Sequence, residues 1–530
     1  MGISNHRAAR RLMPALGAGA CLITVLSACA GGATSGGGSG GAGSASASAS
    51  SDLTVVYANQ VTTLDPVQAV QAEVDTIASL IYDPLVTYDS QDQLTGVMAE
   101  SFTTEPGATK VDITLRPGLK FHDGTPVTAQ DVEFTFERDL AVNSGVASYL
   151  AGYKSMTIHS PTSFTINLSA PNSFFLRELS KVYILNAALT EQHEGTDHAQ
   201  GWLSDHDAGS GPYTLGTANT LADVTVNRWT KYFAYDPTEP ASMEIKEVDD
   251  SSTEAADLRD GSANIALKLS SADAEAVNGK DGVSTAWIDS GLTEYMWMNP
   301  NAGATKNVKV REALQMVYNY EGGLKAVWGG KGTTLSGILP STMTCQPALS
   351  GYSDNLAAAT TLFQQAGVTS LTLRYQPALA EFTQEATLFQ SELKQAGVTL
   401  NLVPITFSDW LTSLSSTKNI PELMLMGDVP RFPDTGIYLN YVYNGASVGT
   451  NYSGFNDAAV NKLLDEAKVT ASDTGRCTLE EQAQQLVYNQ HLSVNMYTYE
   501  QPVSYTSGVT GVVADPNANP ISLRTIRVSS

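Results

Sequence analysis

Positive charge is scarce in this chain. Lys and Arg number 30 against 54 Asp and Glu, for a net charge of −24. A surface this acidic repels phosphate backbones and anionic headgroups, which argues against nucleic acid and against peripheral electrostatic membrane binding. Charged residues of both signs reach only 16 %, below the ~25 % usual in soluble proteins. The 44 Gly and 22 Pro are an ordinary share, so collagen-like, coiled-coil and wholly disordered chains are excluded. No run beyond the first thirty residues is long and apolar enough to span a bilayer. No nucleophile–base–acid set stands out, and the expectation is a protein that is not an enzyme. What the chain does have is 42 % hydrophobic residues over 530 positions, enough for a sizeable core and for two to four domains.

The N-terminus reads as an export signal. Arg7, Arg10 and Arg11 precede an apolar stretch from Leu12 to Ala28, the pattern of a secretory leader. Leu26-Ser27-Ala28-Cys29 resembles a bacterial lipobox, in which small residues fit the peptidase and the Cys29 thiol takes the lipid. Residues 1–28 are thus expected to be a signal peptide. Residues 29–51 carry the lipidated Cys29 and a Gly/Ser/Ala tether, with a reach of roughly 25 Å. Cys21 is then an apolar residue of the leader, and Cys345 and Cys477 remain. They are expected either to be bridged, as an exported compartment permits, or to stand as two free buried thiols.

From Leu53 the pattern is mixed α/β. Leu53–Tyr57, Val111–Leu115 and Ser163–Leu168 read as strands. Thr128-Ala129-Gln130-Asp131 has capping-box spacing before a helix through Val132, Phe136 and Leu140. Farther on, Leu356, Ala359, Phe363 and Ala366 make a helical stripe stopped by Gly367, and a strand follows at Leu371–Tyr375. Phe382, Ala386, Phe389, Leu393 and Ala396 repeat that solution, stopped by Gly397 before a strand at Val398–Val403. This α-β-α-β order predicts parallel strands. Further helices are expected over Val460–Ala467 and from a capping box at Thr478-Leu479-Glu480-Glu481.

The block Leu115-Arg-Pro-Gly-Leu-Lys-Phe-His-Asp-Gly-Thr-Pro-Val-Thr-Ala-Gln-Asp-Val132 closely resembles the extracellular solute-binding proteins of dipeptide, oligopeptide and nickel ABC importers. Leu64-Asp65-Pro66, Tyr82-Asp83-Pro84-Leu85, Gly209-Ser210-Gly211-Pro212-Tyr213, Val308–Leu314 and Asn451-Tyr452-Ser453-Gly454-Phe455 resemble further family motifs in the family's order. The resemblance implies a two-lobed, periplasmic-binding-protein-like α/β fold of type II with an extra inserted α/β domain. Lobe 1 is expected from 52–85, 206–299 and 499–530, the insertion from 86–205, and lobe 2 from 300–498. Hinges are expected near Asn299-Pro300 and Tyr499. It implies a monomer that captures a peptide or other amine-bearing solute between its lobes and delivers it to a membrane permease, without cofactor or metal. Oligosaccharide or nickel-chelate binding, and a sensory receptor on the same fold, are the alternatives.

In the family's peptide binders a W-x-x-D segment supplies an Asp for the ligand's ammonium. The matching residues here are Leu425-Met426-Gly427-Asp428, making Asp428 the candidate anchor, flanked by Leu425 and Gly427. Trp410 matches a second tryptophan that walls a side-chain pocket. Val70, Gln71 and Ala72 match a segment whose backbone pairs with an extended peptide. Two departures stand out: Leu425 replaces the family Trp, and Glu422 stands where some relatives carry a carboxylate-binding Arg. Asp434 reads as a turn residue, and Trp297 and Asn299 as residues near a hinge. A His/acid cluster around His193, His198 and His206 fits no standard metal spacing. Gly37–Gly41 matches G-x-S-x-G only within the tether, and Gly329–Thr333 lacks a P-loop ending.

Overall fold

The computed structural model describes residues 52–57, 61–219, 223–377, 380–517 and 520–529. The expected leader, Cys29 and the expected tether lie outside them. The described residues form one compact unit, built on three principal sheets.

A seven-stranded sheet runs in the order Val283–Ile288, Gln501–Thr506, Ile265–Ala266, Asp52–Tyr57, Ser242–Glu247, Asp223–Arg228, Tyr213–Asn219. Its first strand shows why alternation matters. Leu53, Val55 and Tyr57 face a large core shared with the 86–205 region, while Val56 joins Ala255, Leu258 and Ala266 on the opposite face. A six-stranded sheet runs Gly332–Thr334, Ser493–Tyr499, Thr293–Met298, Leu423–Asp428, Ser370–Tyr375, Thr399–Pro404. The parallel pairing expected from the α-β-α-β pattern is present, with Ser370 opposite Thr399 and Leu373 opposite Leu423. Here too the faces alternate. Leu423 and Leu425 enter one core with Phe389 and Leu393; Met424 and Met426 enter another with Tyr438 and Tyr443. The third sheet, Ala99–Thr104, Lys110–Leu115, Ser163–Leu168, Tyr153–Ser160, is antiparallel.

Most expected elements form. Asp131 Oδ2 accepts the Thr128 N–H at 2.8 Å and its hydroxyl at 2.7 Å, opening the helix Ala129–Val142. Val132 and Phe136 are buried, but Leu140 faces solvent. Gly367 and Gly397 end their helices in the left-handed region, at φ 65° and 82°. One start differs: the helix expected from Thr478 begins at Asp473, with Ser472 Oγ accepting the Gly475 N–H. Thr478 therefore lies inside it and turns its hydroxyl to the Thr474 carbonyl.

The family-like motifs are internal struts. Asp65 takes the Arg138 guanidinium bidentately at 3.0 and 2.6 Å. Asp83 takes Arg524 at 2.7 Å, tying the first third of the chain to its end. Gly209 and Gly211 pass so close to the Ile81 and Leu80 carbonyls that a Cβ would sit 2.1 and 2.6 Å from them. Arg311 donates to the carbonyls of Gln490 at 2.9 Å and Thr305 at 2.7 Å. Asn451 Nδ2 donates to the carbonyls of Asn444 at 3.2 Å and Phe455 at 2.6 Å.

The chain passes between the two large sheets at 289–292 and at Glu500. The hinge expected at Asn299-Pro300 is thus misplaced. Thr293–Met298 already belongs to the six-stranded sheet, and Asn299 is buried at its end, donating to the Ile420 and Glu422 carbonyls. Cys345 and Cys477 are disulfide-bonded.

Candidate functional site

A cavity of about 410 Å³ lies where these parts meet, within the range of small-ligand sites. Its walls come from distant segments. Ala69, Val70 and Ala72 precede and open the helix Ala72–Ile81, and Asp75 lies in its first turn. Tyr149 and Lys181 come from the 86–205 region. Asp289 and Ser290 sit on a crossing between the sheets, and Ala514–Asn517 near the C-terminus. Thr342, Met343 and Val429–Arg431 close the far side.

The charges on these walls are unevenly satisfied. Lys181 Nζ pairs with Asp75 at 2.5 Å and also donates to the Asn517 carbonyl. The other Asp75 oxygen accepts from the Tyr183 hydroxyl at 2.8 Å. Asp289 accepts the Gly291 N–H at 3.0 Å, and Asp515 accepts the Asn517 N–H at 2.7 Å. Partial burial, with Asp89 nearby, raises the Asp92 carboxyl.

Asp428 lies beside this cavity rather than on its wall. It ends the strand Leu423–Asp428, and its carboxylate accepts the Tyr438 hydroxyl at 2.9 Å and the Tyr452 hydroxyl at 3.1 Å. Desolvation pushes its pKa up, against the pull of those hydroxyls and Arg431. The space it faces holds only about 20 Å³, room for about one water and too little for an alkylammonium. The residue expected as the anchor is thus placed behind two tyrosine hydroxyls, beside the cavity rather than on its wall. Leu425 is fully buried among Leu373, Phe389 and Leu423. Gly427, on the same face, lies against Phe382 and Tyr499, so neither walls the cavity. Trp410 packs at the edge of a core, its ring 6.5 Å from Tyr452, and is absent from the cavity wall. Glu422 accepts the Ala304 N–H at 2.6 Å, a bond internal to its own sheet region.

Val70 and Ala72 do line the cavity. Gln71 does not, and its backbone is committed: its N–H bonds Gln68 and its carbonyl takes the Asp75 N–H. Asp434 caps the helix Thr435–Tyr443 through the Ile437 N–H, as a turn residue would. Trp297 is buried against Tyr295, Tyr443 and Tyr452. Around the histidine cluster, Trp202 stacks with His193 and His206 at 4.3 and 4.8 Å, and no group of three His, Cys, Asp or Glu among the described residues is placed to hold a metal.

Sequence reasoning missed Arg431, Tyr149 and the Lys181–Asp75 pair. Arg431 had a signal: a lone cation between Pro430 and Pro433 in a chain poor in cations. Tyr149 and Lys181 had none, because only the folding of the 86–205 region brings them here.

A family model for bacterial extracellular solute-binding proteins, family 5, matches residues 93–450. The probable D,D-dipeptide-binding periplasmic protein DdpA of Escherichia coli strain K12 is 26 % identical over 468 residues, 86 % of this chain and 90 % of that protein. The glutathione-binding protein GsiB of Shigella dysenteriae serotype 1 is 27 % identical over 327 residues, 60 % of this chain; the match spans 62 % of that relative's length. In structure, the ABC transporter substrate-binding protein CtaP of Listeria monocytogenes superposes with a TM-score of 0.81 at 20 % identity, covering 90 % of this chain and 99 % of that one. This is the two-lobed binding-protein fold that the motifs implied.

Proposed function

The chain belongs to the bacterial extracellular solute-binding proteins of family 5, and from that premise we propose that it is the substrate-binding component of an ABC importer. It captures a peptide or other amine-bearing solute in the cavity and delivers it to a membrane permease. The observation that carries this reading is the cavity itself: about 410 Å³, walled jointly by segments of both large-sheet regions, with Asp289 on one of the two crossings between them. A solute touching both sides binds the closed arrangement better than an open one, which is the condition for ligand-driven closure. Asp92, Asp289 and Asp515 on the wall make no ion pair among the described residues and suit an amine, and the relatives' dipeptide and glutathione ligands set the size class. The mechanism is capture and closure without bond making.

In this reading the protein is a monomer held on the outer face of the cell membrane by lipid on Cys29, with residues 30–51 as the tether. Two or three acyl chains hold stably where one anchors marginally. The test is native mass spectrometry of the purified protein without denaturation. A bound mass that fragments as a peptide is the expected result. A sugar-like or metal-chelate mass overturns the peptide assignment, and an empty protein that no tripeptide stabilises overturns the transport role.

A further inference from the structure

Three observations converge on Arg431. First, the carboxylate three residues before it is enclosed: Asp428 takes two tyrosine hydroxyls and faces a space of about 20 Å³. No ligand ammonium reaches it in this geometry. Second, Arg431 lines both that small space and the main cavity. Its charge is favoured by Asp428, and its guanidinium lies beside the hydroxyl of Tyr149. Tyr149 is itself buried and packs edge-on against Phe432, 5.1 Å between ring centres. Tyr149 and Arg431 line the same cavity, and the Arg431 side chain remains exposed to it. Among the described residues no carboxylate comes within 4.0 Å of it. Third, the other cation of the cavity, Lys181, is already committed to Asp75 and the Asn517 carbonyl.

Arg431 is therefore the cation left facing a concave wall that includes Val70, Met343 and Pro430. A guanidinium so placed offers a planar fork of donors that matches a carboxylate. We propose that Arg431 is the ligand's carboxylate anchor, and that it supplies from within the chain the positive charge that a ligand ammonium would bring to Asp428. The polarity of the bound solute follows: its carboxylate end lies toward Val429–Arg431, and an amine, where present, faces the aspartate-bearing walls. The assignment rests on the solute-binding reading above and sharpens it from an amine-bearing solute to one that must carry a carboxylate. Glu422 is committed to the Ala304 N–H within its own sheet region and takes no part in this wall.

The test uses two equimolar tripeptide pools, one of free acids and one of the matching C-terminal amides. Both are offered to the wild-type protein, Arg431→Gln and Arg431→Lys, with bound peptide read by native mass spectrometry and affinity by calorimetry. Wild type should prefer the acids by about 10–100-fold, the value of a charge-assisted pair. Arg431→Gln should erase that preference while still binding peptide, and Arg431→Lys should restore part of it. Unfolding midpoints are read for each variant, so that a loss of fold is told apart from a loss of the acid preference. Equal binding of acids and amides by wild type, or an acid preference that survives in Arg431→Gln, overturns the anchor and leaves the peptide reading standing. Binding of neither pool overturns both.

Discussion

Glu294 and Glu385 bring two carboxyls into one core. Both are fully buried. Glu294 accepts from the Trp328 indole at 3.0 Å, and Glu385 accepts from the Tyr497 hydroxyl. Each keeps one oxygen without a hydrogen bond. Tyr318 and Tyr499 pack around them, and Glu381 adds further negative charge. Desolvation drives both acids upward, Glu385 to about 7 and Glu294 well above its ordinary value. An acid whose folded pKa is raised stabilises the fold below its unfolded pKa, and that stability is lost as pH rises through the folded value. The unfolding free energy should therefore fall between pH 4.5 and 7, a window to which Glu385 contributes together with Glu178, Glu392 and Glu480, each raised to about 7 by burial. Glu385→Gln should reduce the slope, recovering roughly 1–3 kcal/mol at pH 8. Urea midpoints at pH 5 and 8 for both proteins check this. An unchanged slope in the variant would show that Glu385 is ionised in the native state.

At the scale of elements, the capping box before Ala129–Val142 does more than start a helix. Asp131 Oδ2 holds Thr128, and Asp131 Oδ1 accepts the Ala187 N–H at 3.0 Å, so one buried carboxylate joins a helix start to a second helix. Asp131→Ala should cost about 2 kcal/mol, more than an isolated cap, because it orphans the Ala187 N–H as well. Chemical denaturation measures it; a loss under 0.5 kcal/mol would mean that water replaces these bonds. The spacing of Thr128 and Asp131 was legible in sequence, whereas the bond to Ala187 is a tertiary contact 56 residues away. The same division explains the helix that begins at Asp473 rather than Thr478. Thr478–Glu481 has the residues of a cap, but Ser472 supplies a competing one six residues earlier.

At the scale of the molecule, the Cys345–Cys477 bridge reaches the candidate site indirectly. Residues 335–355 carry no helix or strand, and they bring Thr342 and Met343 to the cavity wall. The bridge pins this long loop to the helix Asp473–Tyr488, where Gln484 also donates to the Cys345 carbonyl at 2.7 Å. Replacing both cysteines with serine should cost roughly 2–5 kcal/mol of stability. It should also speed amide exchange across 341–350 and weaken ligand binding, since an ordered wall must then be paid for on binding. Hydrogen-exchange mass spectrometry with and without bound tripeptide reads all three effects. Unchanged protection in this loop would show that its packing alone orders it.

The sequence by itself determined the α/β class, the parallel pairing of 370–375 with 399–404, and the family. These follow from local periodicity, stop glycines and motifs, which need no knowledge of distant contacts. The motif residues proved to be struts: Asp65 on Arg138 and Asp83 on Arg524. They mark the scaffold and say little of the ligand. Only the tertiary structure decided which residues face the cavity. Alternation along Leu423–Asp428 sends Leu425 into a core, two tyrosine hydroxyls close off Asp428, and Tyr149 and Arg431, 282 positions apart, line one cavity. A binding wall assembled from remote segments is set by packing, and packing leaves no local pattern in the chain.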